Sequence, residues 1–400
     1  MADVRRVHRW VRLLAIAALL AACGESEDPA PGPVGASGPE GRPAEESGWH
    51  ALEAAPIGAR YDAHAFWTGG EVLVIGGTVE PPCPPNADCF QPVVALTDGA
   101  AYDSSAKSWR EIADAPFPLH LGSGAVVDDV LYVLVPPLPG EADPLPGALL
   151  AYHVTDDRWE QLEGPPDDEW GSLTLAAAGS DLIAYRGSHE TPGLDFRFDP
   201  ETGDWQELPV DPVAPSFDRS LVWTGSELVL IGVELVEQPG SSEPPIYRAA
   251  ALDLDSGAWH RMPDSEIVVW NPAWTWSDGS IVNASIGGAD GGAVNGWGRT
   301  YPFGGVLDPE TGEWSALPDP PAEPGPFPGI ATGGGPYVVS SEGWVLHTPT
   351  GAWAALQRPP DAPDEGEARV WAGDRLIVWG GVRWAGDDPT ILDGGWEWLP

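Results

Sequence analysis

The stretch Phe198-Asp-Pro-Glu-Thr-Gly-Asp-Trp-Gln-Glu-Leu-Pro209 recurs nearly letter for letter as Leu307-Asp-Pro-Glu-Thr-Gly-Glu-Trp-Ser-Ala-Leu-Pro318. Looser copies are Tyr102-Asp-Ser-Ser-Ala-Lys-Ser-Trp-Arg-Glu-Ile112, Leu254-Asp-Ser-Gly-Ala-Trp-His-Arg-Met-Pro263 and His347-Thr-Pro-Thr-Gly-Ala-Trp-Ala-Ala-Leu356. Each copy reads as a hairpin. A strand runs into Asp-Pro or a similar pair, Thr-Gly or Ser-Gly makes the tight turn, and Trp-x-x-Leu opens the returning strand. The tryptophans of this pattern stand at 49, 109, 159, 205, 259, 314, 353 and 396, a mean period of about 50 residues.

Working outward from these hairpins, each is preceded by an apolar run, a tight turn and a second apolar run that often ends in Gly-Gly. The first such unit is Arg60-Tyr-Asp-Ala-His-Ala-Phe-Trp67, the turn 68–71, and Val72-Leu-Val-Ile-Gly-Gly77. The second run returns as Leu228-Val-Leu-Ile-Gly232, as 281–288 and as Leu376-Ile-Val-Trp-Gly-Gly381, and more weakly at 130–135, 182–187 and 337–341. Seven strand pairs predict seven blades of four antiparallel strands. The apolar runs are what stacked, face-packed sheets require.

Arg60-x-x-x-His64, the Gly-Gly strand ends and Tyr-Asp-x-x-x-x-x-Trp together resemble kelch repeats, whose propeller class includes the central domain of galactose oxidase. The resemblance covers 49–400 and implies an all-β, seven-bladed propeller. It implies little about function, because kelch propellers serve as scaffolds, glycan-active enzymes and interaction modules alike. Eight Trp-x-x-Leu segments compete for seven outer strands. The expectation is that the N-terminal strand completes the last blade, with 390–398 as that blade's third strand.

The first 48 residues lie outside the propeller. Residues 1–22 combine Arg5, Arg6, Arg9 and Arg12 with an apolar run at 13–22 and end Leu20-Ala21-Ala22-Cys23. This reads as a lipoprotein signal peptide, with Cys23 the acylated N-terminus of the mature chain, anchored on the outer side of a bacterial membrane. Residues 23–48 are the lipidated cysteine and a Gly/Pro/Glu/Ala/Ser tether with too little apolar surface to order itself. Cys83 and Cys89 share one Pro-rich loop and are expected to form a local disulfide outside the cytoplasm; a metal site is the alternative reading.

Charge narrows the partners. The chain carries 19 basic and 61 acidic residues, a net of −42. Such a surface repels nucleic acid, which is excluded as a partner. A GC-rich genome or a saline habitat would produce this balance without any functional cause, whereas a cation-rich partner would give it one.

In a four-stranded meander the first-to-second and third-to-fourth turns share one face, and these are short here. The longer connections at 78–97, 136–147, 234–246 and 288–298 gather on the other face, together with the Pro-rich links 113–119, 163–169, 318–328 and 358–366. That long-loop face is the expected working surface. Arg60, His64, His120 and Arg219 lie on or near first strands. They either bond backbone groups at blade junctions or offer contacts to a carboxylated sugar. Trp270 and Trp274 belong either to a carbohydrate platform or to the packing between blades.

No His-Glu-x-x-His, Gly-x-Ser-x-Gly or phosphate-cradling glycine loop is present. A copper-radical site like that of galactose oxidase needs a cysteine to cross-link a tyrosine, and both mature cysteines sit in one loop. No catalytic residue, cofactor or metal is therefore assigned. The sequence reads as a membrane-anchored module that binds an unknown protein or glycan. Its alternatives are a carbohydrate-active epimerase or lyase and a structural component of the envelope.

Overall fold

The computed structural model describes residues 46–84, 94–119, 123–137, 147–167, 169–188, 194–234, 246–268, 272–286 and 302–400. The compact unit Glu46–Pro400 is an all-β propeller of seven four-stranded antiparallel blades. Blade one is His64–Trp67, Val72–Ile75, Gly99–Asp103 and Ser108–Glu111, paired in that order. Blades two to six repeat this meander and open on Ser123–Val127, Leu173–Ala178, Ser216–Trp223, Thr275–Ser277 and Thr332–Gly334. Blade seven begins with Ala368–Ala372 and Arg375–Trp379. First strands of neighbouring blades touch in an unbroken circle that returns from blade seven to blade one.

The reason these runs form strands is visible in where their side chains go. Successive residues of a strand point to opposite faces. In blade one, Val72 and Val74 face blade seven while Leu73 and Ile75 face blade two. In blade four, Leu228 and Leu230 face blade three while Val229 and Ile231 face blade five. Both faces of each second strand are buried, so the centre of the run is continuously apolar instead of alternating. Among the described residues the core divides into seven clusters, one between each pair of adjacent blades.

The repeated tryptophans join the blades at their outer strands. Each indole Nε1 donates to the carbonyl of the residue four positions after the equivalent tryptophan of the preceding blade. The bonds run Trp109 to Glu53 (3.0 Å), Trp159 to Ala113 (2.7 Å), Trp205 to Glu163 (2.9 Å) and Trp259 to Pro209 (2.8 Å). They continue from Trp314 to Pro263 (2.8 Å) and from Trp353 to Pro318 (2.6 Å). Trp49 closes the circle on Gln357.

Ring closure follows the expected plan with one difference. The N-terminal strand Gly48–Ala51 is the outer strand of blade seven and pairs with Gly395–Leu399, Gly48 opposite Leu399. The third strand is thus Gly395–Leu399, shorter than the expected 390–398. Residues 388–391 pair instead with Val382–Ala385 in a separate two-stranded hairpin. The cause is local: Gly380 and Gly381 hold φ of 71° and 97°, conformations open to glycine, and turn the chain out of the blade. Leu392 N then returns to Gly381 O at 2.9 Å, which closes the hairpin as an insertion.

Candidate functional site

On the long-loop face, the segments that lead into the first strands of blades one, five, six and seven surround a cavity of about 760 Å³. Blade one contributes Asp62, Ala63 and His64, and blade five Ala273. Blade six contributes Pro328, Gly329, Ile330 and Ala331, and blade seven Asp364, Glu365, Gly366 and Glu367. Part of the lining is therefore apolar, and another part carries four carboxyl groups.

The acidic wall is held by backbone that only certain residues can supply. Asp62 sits at φ 54°, a left-handed conformation that Asp and Asn tolerate better than most residues. Its N–H donates to Gly366 O at 2.8 Å, which locks blade one to blade seven. Gly381 allows the same junction: a Cβ there would lie 2.6 Å from Pro363 Cβ and 2.8 Å from Glu365 O. Its N–H donates to Arg60 O at 2.9 Å.

The inserted hairpin fixes two of the carboxylates. Trp384 donates its backbone N–H to Asp364 Oδ2 (2.8 Å) and its indole N–H to Glu365 Oε1 (2.8 Å). Arg358 also pairs with Asp364. Glu367 Oε1 accepts from Arg369 Nη2 at 2.7 Å. Arg369 is wholly enclosed, lies 4.6 Å over the Phe327 ring and packs beneath Gly329, where a Cβ would come within 2.4 Å of its Cζ. Burial pushes the Arg369 guanidinium down from its ordinary range against the pull of Glu367.

Electrostatics follow from this arrangement. Burial, and then the charges of Glu365 and Glu367, hold the Asp62 carboxyl above the usual carboxylate range. Burial alone pushes the His64 imidazole down to about 4, and its Nε2 is enclosed with no hydrogen-bond partner. At neutral pH His64 is an uncharged ring on the cavity wall. Among the described residues no group of three or more His, Cys, Asp or Glu side chains is arranged to hold a metal ion.

The residues singled out in the sequence are placed as follows. Arg60 is 2% exposed. It donates from Nε to Gly58 O (3.0 Å), from Nη1 to Gly76 O (3.1 Å) and from both Nη atoms to Asp98 (2.6 and 2.8 Å). Arg219 is likewise buried and ties blade four to blade three, bonding Arg186 O (2.6 Å), Asp195 (2.7 Å) and Asp211 (3.0 Å). The Arg60 guanidinium braces blade one and the segment that leads into it, and that of Arg219 joins two blades. Trp274 is 7% exposed and packs edge-on against Tyr247 and Trp314 in the core between blades four and five. His64 alone of this group lines the cavity.

His120, Trp270, Cys23 and Cys89 lie outside the described residues, so the expected Cys83–Cys89 bridge and the lipid anchor do too. The same holds for 85–93 within 78–97, for most of 136–147 and 234–246 and for all of 288–298. Sequence reasoning missed Asp62 and the Asp364–Glu367 segment. The acidic content of the Pro-rich link 358–366 is a signal that could have marked them.

No protein-family model matches the chain, and no curated protein matches it. Among solved structures, "Structure of YjhT" aligns over 86% of this chain and 96% of that chain, at 13% sequence identity and a TM-score of 0.43. On its own strand ladders the chain is a seven-bladed β-propeller, and YjhT is a distant structural likeness of it.

Proposed function

We propose that this protein is a lipid-anchored, extracytoplasmic binding module whose working surface is the long-loop face. The observation that carries the reading is a formed cavity on a closed, rigid ring. Such clefts, a few hundred Å³ in volume with a few fixed polar groups, are where folds of this kind take ligands. The wall groups are oriented before any ligand arrives, by Trp384, Arg358 and Arg369.

The path of the chain supports the same reading. Gly48 pairs with Leu399 at the end of the third strand, so the ring begins on the face of short turns. The strand that begins the ring therefore starts on the face opposite the cavity.

Two measurements test the proposal. Cys23→Ala moves the protein from the detergent phase to the aqueous phase in phase partitioning; retention in the detergent phase refutes the anchor. Shortening the connections 78–97, 136–147, 234–246 and 288–298 one at a time leaves the melting temperature nearly unchanged and abolishes recovery of partners from cross-linked envelopes. Recovery that survives all four deletions refutes the assignment of the working face.

A further inference from the structure

The cavity walls differ in chemistry, and the difference selects a guest. Two of the four carboxylates are neutralised inside the protein, Asp364 by Arg358 and Glu367 by Arg369. Among the described residues, Asp62 and Glu365 have no basic partner. Glu365 is held by a neutral indole N–H, which orients the carboxylate and leaves its charge in place. Two carboxyl groups thus stand close together in the lining, and burial first, then the charges of Glu365 and Glu367, make Asp62 resist ionisation.

The same cavity is lined by an apolar ledge of Pro328, Ile330, Ala331 and Ala273, with Ile330 59% exposed. A large aliphatic side chain that open to water is one of five such residues among those described. His64 completes the wall as a neutral ring whose enclosed Nε2 finds no partner within the protein. It adds no positive charge to oppose a cationic guest.

We propose that this cavity takes an organic cation, a primary ammonium or guanidinium group on a short apolar stem. The charged head lies between Asp62 and Glu365 and the stem on the Ile330 ledge. The inference rests on the binding reading above and names the chemistry of its ligand. An anion meets uncompensated carboxylates, and a neutral polyol leaves both charges unanswered and the ledge wet. A hard dication needs several oxygens converging on one point, and the described residues offer no such group. The same head and stem occur on a free alkylamine and on a lysine or arginine side chain, and the experiment separates these two sources.

The test uses the full-length protein in detergent at low ionic strength, titrated by calorimetry and ligand-observed NMR. The probes are n-butylammonium, n-butanol, butyrate and the blocked peptide acetyl-Gly-Lys-Gly-amide. The expected result is binding of butylammonium at least tenfold tighter than butanol, with butyrate weaker still. Tighter binding of the peptide than of butylammonium assigns the source to a protein side chain, and the reverse assigns it to a free amine. Asp62→Asn and Glu365→Gln each weaken binding about five- to tenfold. Asn keeps the left-handed conformation at 62, and Gln keeps an acceptor for Trp384, so both variants fold. Ile330→Ser, on the exposed ledge, weakens butylammonium about threefold without changing the melting temperature.

Butanol binding as tightly as butylammonium, or butylammonium binding unchanged in the Asp62→Asn/Glu365→Gln double variant, overturns the cationic assignment and leaves a binding cavity standing. Absence of binding by every probe also overturns the assignment. Whether the broader reading falls as well is then decided separately by the loop-shortening series.

Discussion

The circle of indole hydrogen bonds makes a quantitative claim about closure. Trp49→Phe removes one N–H···O bond, worth about 1 kcal/mol net, and roughly 20–40 Å² of half-buried ring, worth about 0.5–1 kcal/mol. The Gln357 carbonyl left behind is at the rim and takes water, so no burial penalty is added. The sum is about 1.5–2 kcal/mol. For a cooperative unit as large as Glu46–Pro400, the unfolding entropy near the midpoint is roughly 0.75 kcal/mol per degree, so Tm falls by about 2–3 °C. Trp205→Phe, in the middle of the ring, loses the same bond to Glu163 and falls by the same amount. Trp396→Phe is the control, because Trp396 lies in a third strand and makes no such bond; it falls by about 1 °C. Differential scanning calorimetry on the three variants decides the matter. A Trp49→Phe melt no lower than that of Trp396→Phe, with Trp205→Phe clearly lower, refutes closure through the N-terminal strand.

Two further outcomes are expected. His64 has a folded-state pKa pushed below its ordinary value of 6.5 to about 4. Its contribution to stability is present above pH 6.5 and is lost as pH falls toward 4, so His64→Gln flattens the wild-type decline in Tm across that window; an unchanged slope refutes the enclosure of its ring. Gly381→Ala places a Cβ 2.6 Å from Pro363 Cβ at φ 97° and costs about 3 kcal/mol or more in denaturant unfolding. Gly386→Ala, at φ 70° in open space, costs only about 1 kcal/mol, and equal costs refute the close approach at 381.

Much of the fold was legible because the repeat writes the same physics seven times. The hairpin turn shows why. Asp199, Asp253 and Asp308 each accept two backbone N–H groups from residues two and three positions on. Those bonds hold the three carboxyls below the usual range. The fifth position of the turn is left-handed, with glycine at 203, 257, 312 and 351, Lys107 in the copy at 102–112 and Asp157 in the hairpin that leads into Trp159. Asp, Gly and Trp at fixed offsets are therefore requirements of a turn, a φ angle and an inter-blade bond. The closing blade was less legible. Whether 388–391 continues a strand or folds into a hairpin depends on Gly381 meeting Glu365 and Glu367, contacts between segments that local pattern does not relate.

The cavity was hidden for the same physical reason. Asp62 and Glu365 are some three hundred positions apart in sequence and become neighbours only when the last blade meets the first. Each segment alone reads as something ordinary, the start of a strand and a Pro-rich link. The overall acidity of the chain gave no help, because many of its carboxylates have local work: the turn aspartates hold backbone N–H groups, and Asp98, Asp195 and Asp211 hold buried arginines. Subtracting the carboxylates with such partners changes the question from why the protein is acidic to where acidity is left unanswered in an enclosed place. Two carboxylates fit that description in the lining of the cavity of about 760 Å³, which they share with an exposed isoleucine. A general adaptation to salt would spread charge over the open surface and give no reason to crowd it where burial opposes ionisation.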